Sequence, residues 1–220
     1  MKAVLFDLDG TLLDTLSDIA NSVNQIRTEL GLLPHPKAAY RRFVGDGLSC
    51  LITRALPSSA LRGTDLRARI RRFETLYAEH CLDETRPYPG IARMLDGLVR
   101  RGLPMAIVSN KPQSFTRRCV AELLPRWPFA AVLGAQRGLP LKPDPSSALA
   151  AARALRTRPE HIAYLGDTDV DMRTATAAGM FPVGALWGYR DAAELKRCGA
   201  RAVIRRPGEL LALLDGHGLK

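Results

Sequence analysis

Short apolar runs that stop abruptly on polar residues constrain this chain more than any other feature. Ala3-Val4-Leu5-Phe6 ends at Asp7-Leu8-Asp9-Gly10. The pattern returns at 103–108, ending at Ser109-Asn110, at 129–133, ending at Gly134, and at 161–165, ending at Gly166-Asp167. Weaker versions lie at 181–186 and 202–204. A continuous apolar run of this length reads as a strand buried on both faces, as in a parallel sheet. Helix-like stretches fill the gaps at 90–101, 112–124, 145–156, 170–178, 191–198 and 207–215. Alternation at this spacing predicts βαβ units with right-handed crossovers, hence an α/β fold on a parallel sheet. In such a sheet, ligands bind at the carboxyl edge of the strands. Four segments therefore bring polar side chains to one edge.

The stretch 15–85 breaks the alternation. Leu16, Ile19, Ala20, Val23 and Ile26 step at three and four, and helix-like pieces follow at 37–44, 47–56 and 64–82, with joints at Pro34, Pro36 and Pro57. The expected organisation is a core made of 1–14 and 86–220, with 15–85 inserted as an all-helical cap on the active edge.

The strand ends carry the chemistry. Asp7 and Asp9 sit one residue apart where the first strand stops, and Gly10 permits a turn that lets both carboxylates approach one centre. Two carboxylates that close repel, and a divalent cation or a shared proton relieves the repulsion. Magnesium suits oxygen donors. An Asp-Gly turn with no further role accounts for these four residues equally well. Asp167, Asp169 and Asp171 open the helix-like stretch after the fourth run. Asp167 and Asp171 share a helix face if the helix starts there, and capping by an acid such as Asp169 is the plainer alternative. Lys142 adds a cation in a loop, and Ser109 and Asn110 add neutral donors or a helix cap. A nucleophilic oxygen, a metal, a cation and neutral donors are what phosphoryl transfer requires.

Charge and cysteines narrow the partners. The formal net charge of +10 favours an anionic ligand. Arg67, Arg69, Arg71 and Arg72 read as a solvated helix face, and with 6% aromatic residues there is little to stack bases on, so a nucleic-acid partner is disfavoured. Cys50, Cys81, Cys119 and Cys198 form no metal-binding spacing and read as isolated thiols of a reducing compartment. The N-terminus meets Asp7 too early for a signal peptide, and no run reaches membrane-spanning length. The expectation is a cytoplasmic protein without a membrane partner, its oligomeric state open between monomer and homodimer.

Asp7-Leu8-Asp9-Gly10-Thr11-Leu12-Leu13-Asp14-Thr15 resembles the first motif of the haloacid dehalogenase superfamily of phosphatases. Val108-Ser109-Asn110-Lys111-Pro112 resembles its second motif, Lys142-Pro143 its third and Gly166-Asp167-Thr168-Asp169-Val170-Asp171-Met172 its fourth. The match spans roughly residues 2–215 in order and spacing. The resemblance implies a Rossmann-like three-layer core and a magnesium-dependent phosphatase. Asp7 would be the nucleophile, and Asp9 the general acid and then base. Asp7, Asp9 (through its backbone carbonyl) and Asp167 would ligate the metal, with Asp171 behind them. Thr11, Ser109, Asn110 and Lys142 would serve the phosphate. An acid at Asp9 favours ester phosphates over halides, since a halide needs no proton.

Val44-Gly45-Asp46-Gly47 resembles the cap segment of phosphoglycolate phosphatase-like members, where Gly45 and Gly47 would reach the substrate. A plain helix–helix turn is the alternative. The segment 134–141, with Arg137, departs from that subgroup. The substrate would be a small phosphorylated metabolite: 2-phosphoglycolate first, with sugar phosphates and nucleotides as alternatives. A phosphomutase using His35, His80 or Lys37, a phosphonate-cleaving relative using Lys37, and a basic binding protein on an idle scaffold stay open.

Overall fold

The computed structural model describes residues 1–63 and 65–217. Six parallel strands form the main sheet: β1 (Ala3–Phe6), β4 (Met105–Pro112), β5 (Phe129–Ala135), β6 (Ile162–Gly166), β7 (Phe181–Ala185) and β8 (Ala202–Ile204). Their order is β5-β4-β1-β6-β7-β8. β1 lies between β4 and β6, in register Phe6 with Ile107 and Leu165. The chain leaves β1 towards β4 and β5 and later returns to β6 on the other side, so β1 ends at the point where the winding reverses, which is where an open α/β sheet forms its crevice.

Alternation along β1 decides the layers. Val4 and Phe6 pack with the apolar stripe of α5 (Ile91–Arg100), with Cys119 and Val120 of α6 (Gln113–Leu123), and with Leu210 of α10 (Glu209–Ala212). Ala3 and Leu5 face α7 (Ser146–Ala154) and α8 (Asp169–Ala177) through Ala148, Ala151 and Ala175. The short α9 (Ala192–Arg197) joins β7 to β8. This is the expected three-layer arrangement. The stretch expected as a helix over 207–215 begins at α10 and continues as a wider π-type turn over Leu213–His217, which leaves helical geometry at Gly216.

The insert contains α1 (Leu16–Glu29), α2 (Lys37–Phe43), α3 (Leu48–Ala55) and α4 (Asp65–His80). Thr64, the first residue of the helix expected over 64–82, lies outside the described residues, as do 218–220 of the expected core. These helices bury a separate apolar cluster that includes Leu16, Ile19, Val23, Ile26, Tyr40, Ile52, Phe73 and Tyr77. Phe115 of α6 joins that cluster from the core. A two-stranded antiparallel ribbon of β2 (Leu13–Asp14) and β3 (Arg86–Pro87) lies at the two crossings. It is too short to announce itself in sequence. Beside it, buried Asp18 accepts the backbone N–H groups of Glu84 and Thr85 at 3.0 and 2.9 Å and the Thr85 hydroxyl at 2.7 Å, which ties the entry of α1 to the exit of the insert. No helix among the described residues is long and apolar enough to cross a membrane.

Candidate active site

The site lies on the carboxyl edge of β1, β4 and β6, beneath the helical insert. Asp7 and Asp9 follow β1, and both are buried. Gly10 has φ of +88°, and a Cβ there would lie 2.4 Å from Asp167 Oδ2. The turn is therefore restricted to glycine both by conformation and by the close approach of Asp167. Asp7, Asp167 and Asp171 each place an oxygen within 4.8 Å of the others. Asp9 is not part of this carboxylate group; its side chain turns to Lys111.

Lys142 holds the cluster together. Its ammonium donates to Asp7 Oδ1 at 2.7 Å, to Asp171 Oδ1 at 2.7 Å and to the Val108 carbonyl at 3.2 Å. Burial by itself would depress the lysine pKa, but Asp171 and Asp7 override it and hold the ammonium well above its ordinary range. Burial, then the neighbouring Asp171, pushes Asp7 well above the usual carboxylate range, against the pull of Lys142. The same two causes raise Asp167 to about 7 against the hydrogen bonds from Thr11 and Tyr189. Three buried acids facing one ammonium are under-compensated. An all-oxygen donor set with excess negative charge fits a hard divalent cation.

The condition for Asp167 and Asp171 to share a helix face, a helix starting at Asp167, is not met. The helix begins only after Thr168, so Asp167 lies before it. Asp171 closes a capping box with Thr168, its Oδ2 accepting the Thr168 N–H at 3.0 Å and hydroxyl at 2.7 Å. Capping therefore falls to Asp171 rather than Asp169. Asp169 instead lies near Arg173 and Arg190, at 3.5 and 3.9 Å. Thr11 donates its hydroxyl to Asp167 Oδ1 at 2.7 Å, and the Tyr189 N–H donates to Oδ2 at 2.8 Å. The side chain of Thr11 thus orients an acid.

β4 does not stop at Ser109. After an irregularity it runs on to Pro112, which pairs with Ala135. This continuation buries Lys111. Its ammonium donates to Asp9 Oδ1 at 2.8 Å and to the Tyr77 hydroxyl at 2.7 Å. Burial opposes its charge, while Asp9 and then Tyr77 raise its pKa well above the ordinary value. Ser109 Oγ accepts the Lys111 N–H at 3.2 Å and caps no helix; Pro112 stands at the cap of α6. The Asn110 amide is fully engaged: Nδ2 donates to the carbonyls of Gly45 and Lys142, both at 3.0 Å, and Oδ1 accepts the Lys142 N–H at 2.8 Å. It joins the insert to the Lys142 loop.

A cavity of about 60 Å³ opens between core and insert. Asp7, Asp9, Ser109, Lys111 and Lys142 line it from the core, and Ile19, Leu48, Leu51, Phe73 and Tyr77 from the insert. Gly45 and Gly47 also line it, in the turn between α2 and α3, with φ of +128° and +88°. The turn and the approach to the cavity are thus the same structure. Gly45 turns its carbonyl to Asn110. Arg190, buried beyond β7, donates to the carbonyls of Arg41 and Val44 and pairs with Glu194 at 3.1 Å. The core therefore grips the insert on both sides of that turn.

Lys111 and Tyr77 in the cavity wall, and Arg190 at the contact between core and insert, are residues that the sequence reading did not single out. Lys111 had a signal, since it lies within the second motif directly after Asn110. Other candidates lie elsewhere. Lys37 is exposed and bonded to Ser17, His35 is bonded to Asn24 and the Ala55 carbonyl, and His80 is exposed beside Asp83. None of the three lines the cavity. The helix arginines stay outside it too; Arg72 pairs with Glu29 at 2.6 Å. Cys81 and Cys119, far apart in sequence, are hydrogen-bonded neighbours from insert and core, and that bond draws Cys81 down to about 7. All four cysteines are free thiols.

The haloacid dehalogenase-like hydrolase family profile matches residues 4–185. A phosphoglycolate phosphatase from Chromobacterium violaceum is 33% identical over 217 residues, covering 97% of this chain and 96% of its own. One from Aquifex aeolicus is 31% identical over 217 residues, covering 99% and 98%. A crystal structure from Lactobacillus delbrueckii subsp. bulgaricus superposes with a TM-score of 0.90 at 28% identity, covering 97% of this chain and 98% of that one.

Proposed function

We propose that this chain, which belongs to the haloacid dehalogenase-like hydrolase family and is a phosphoric monoester hydrolase, acts on 2-phosphoglycolate or a similarly small acidic ester through a phosphoryl group carried on Asp7. One observation carries the reading. Asp7 is a buried carboxylate on the cavity floor, bonded to Lys142 and clustered with Asp167 and Asp171. A carboxylate so placed is positioned to attack phosphorus while a cation faces the phosphoryl oxygens.

In the first step an Asp7 oxygen bonds to phosphorus and the ester P–O bond breaks. Asp9, as the carboxylic acid, gives its proton to the leaving oxygen. In the second step Asp9, now the carboxylate, takes a proton from water as that water attacks the phosphorus of the aspartyl phosphate. Inorganic phosphate leaves and Asp7 is restored. Lys142 and Ser109 would hold the phosphoryl oxygens, with Asn110 fixing the Lys142 loop and Thr11 fixing Asp167. Asp7, Asp167 and the Asp9 backbone carbonyl would hold magnesium, with Asp171 behind them. Bound there, magnesium would neutralise the crowded acids and stabilise charge on the transferring group. Residues 15–85 act as a cap in this reading, with Gly45 and Gly47 over the substrate and the β2–β3 ribbon at its hinge. Opening would admit the ester, and closure would exclude bulk water. A cytoplasmic location belongs to the same reading.

The mutase and phosphonate readings lose their candidates, since His35, His80 and Lys37 stand away from the cavity. The test is phosphate release from a panel of 2-phosphoglycolate, sugar phosphates, nucleotides and pyrophosphate, with and without magnesium. Metal-dependent release that favours 2-phosphoglycolate is expected. Asp7→Asn should lower kcat by ~10⁴-fold or more. An Asp7→Asn protein that keeps its activity would remove the mechanism.

A further inference from the structure

The cavity contains two buried ammonium groups, but the phosphoryl group needs only the one beside Asp7. Lys142 meets three acceptors: Asp7, Asp171 and the Val108 carbonyl. An ammonium has three N–H donors, and all three of Lys142 are directed at the nucleophile and its surroundings, where they can turn to phosphoryl oxygens but not to the leaving group. Lys111 meets two, Asp9 and the Tyr77 hydroxyl, and has no third acceptor among the described residues. It lines the cavity, so its remaining donor is available to a ligand there.

Its position tells which part of the ligand that would be. Asp9 delivers a proton to the leaving oxygen, so a cation bonded to Asp9 stands on the leaving-group side. The surroundings are apolar. Tyr77 stacks on Phe73 at 5.1 Å and meets Phe115 edge-on at 5.1 Å, and the Lys111 ammonium lies 4.6 Å from the Tyr77 ring centre. With Asp9 in the acid form that the first step requires, this enclosed charge has no carboxylate of its own and attracts an anion more strongly than an exposed lysine would. A neutral leaving group would gain nothing from it.

We infer that Lys111 and Tyr77 form a subsite for a carboxylate on the leaving group, with Lys111 as the residue that makes the enzyme prefer acidic esters. The inference rests on the phosphatase reading above. It gives Lys111 a role beyond that of counter-ion to Asp9. As a counter-ion alone, it would affect all esters alike. As a carboxylate subsite, it distinguishes esters by the charge of the leaving group.

The experiment compares 2-phosphoglycolate with 2-hydroxyethyl phosphate, whose leaving group carries no charge, in wild type, Lys111→Met and Lys111→Arg, each checked for folding by circular dichroism. Wild type should favour the acidic ester about tenfold to a hundredfold in kcat/KM, the range expected of a charge-assisted contact. Lys111→Met should collapse this ratio towards one, mainly through a higher KM for 2-phosphoglycolate. Lys111→Arg should keep part of it. Equal losses for both esters in Lys111→Met would overturn the inference. So would a wild-type ratio at or below one, a result that needs no variant to fold. Release from neither ester by wild type would instead overturn the phosphatase reading, and the inference with it.

Discussion

Lys142 and Lys111 are both buried, and each donates to an aspartate just beyond β1, at 2.7 Å to Asp7 and 2.8 Å to Asp9. They differ in what holds the other side. The partners of Lys142 all belong to the core: Asp7 beyond β1, Asp171 in the first turn of α8 and Val108 of β4. Lys111 takes its second partner, Tyr77, from the helical insert. One pair is therefore fixed by the core whatever the insert does. The other is complete only when the insert is seated. Adjacent carboxylates, two residues apart in sequence, have in this way been given different environments. Under the proposed mechanism this is fitting, because Asp7 must stay put through both steps, whereas Asp9 must serve a leaving group that enters and departs.

The comparison breaks most visibly at Lys142. Lys142→Met leaves Asp7 and Asp171 buried without their cation, and breaking a buried pair costs about 3–5 kcal/mol. The expected outcome is a lower melting temperature without metal and a fall in kcat/KM of roughly 10²–10³-fold. That fall should be the same for acidic and neutral esters, unlike the selective loss expected of Lys111→Met. Steady-state kinetics on the two esters, beside a thermal melt, check it. A Lys142→Met loss confined to acidic esters would show that the roles of the two lysines had been exchanged.

The core centre also has its own dependence on pH. Folding raises Asp167 from the ordinary 3.8 to about 7 through burial and the charge of Asp171. Between those values the folded chain keeps a proton that the unfolded chain releases. The metal-free fold therefore loses stability as pH rises from about 4 to about 7. Asp167→Asn removes this loss. Its metal-free melting temperature should exceed that of wild type by roughly 3–10 °C at pH 7.5, with the gap closing towards pH 4. Magnesium should reverse the order at pH 7.5 by stabilising wild type more. Melts across pH, with and without magnesium, check both signs.

The contrast between the two lysines also marks how far the sequence could be read. The place of Asp7 and Asp167 at the sheet edge was legible because apolar runs end beside them, whereas the roles of both, and of Lys142 in its short Lys-Pro segment, came only with the family resemblance. The buried place of Lys111 was not legible. The apolar run of β4 ends at Val108, and only pairing of Pro112 with Ala135 across the neighbouring strand carries the segment inward. Tyr77 reads in sequence as one more apolar helix position, and its hydroxyl gains meaning only once α4 is packed over β4. Arg190 looked like one basic residue among many until its partners, the carbonyls of Arg41 and Val44, were brought 146 or more positions along the chain to meet it. The spacing of Asp167 to Asp171 allowed a shared helix face only if the helix started at Asp167, and the capping box starts it two residues later, at Asp169. Pattern within a segment was informative; partnership between segments, and above all between core and insert, was not.

The mildest way to sharpen the comparison is Tyr77→Phe. The substitution keeps the ring that stacks on Phe73 and meets Phe115, so the apolar packing of the insert survives. It removes only the oxygen that accepts from Lys111. Lys111 would keep Asp9 and have two donors rather than one for a ligand. If the hydroxyl serves to aim the ammonium at the leaving group, KM for the acidic ester should rise by roughly threefold to tenfold, the span of a single hydrogen bond, while kcat changes less. The neutral ester should show no such rise in KM, and Lys142-dependent steps should be untouched. Kinetics with both esters decide it. An equal effect on both would make Tyr77 a part of cap closure in general, and would leave Lys111 to recognise the carboxylate without help from the insert.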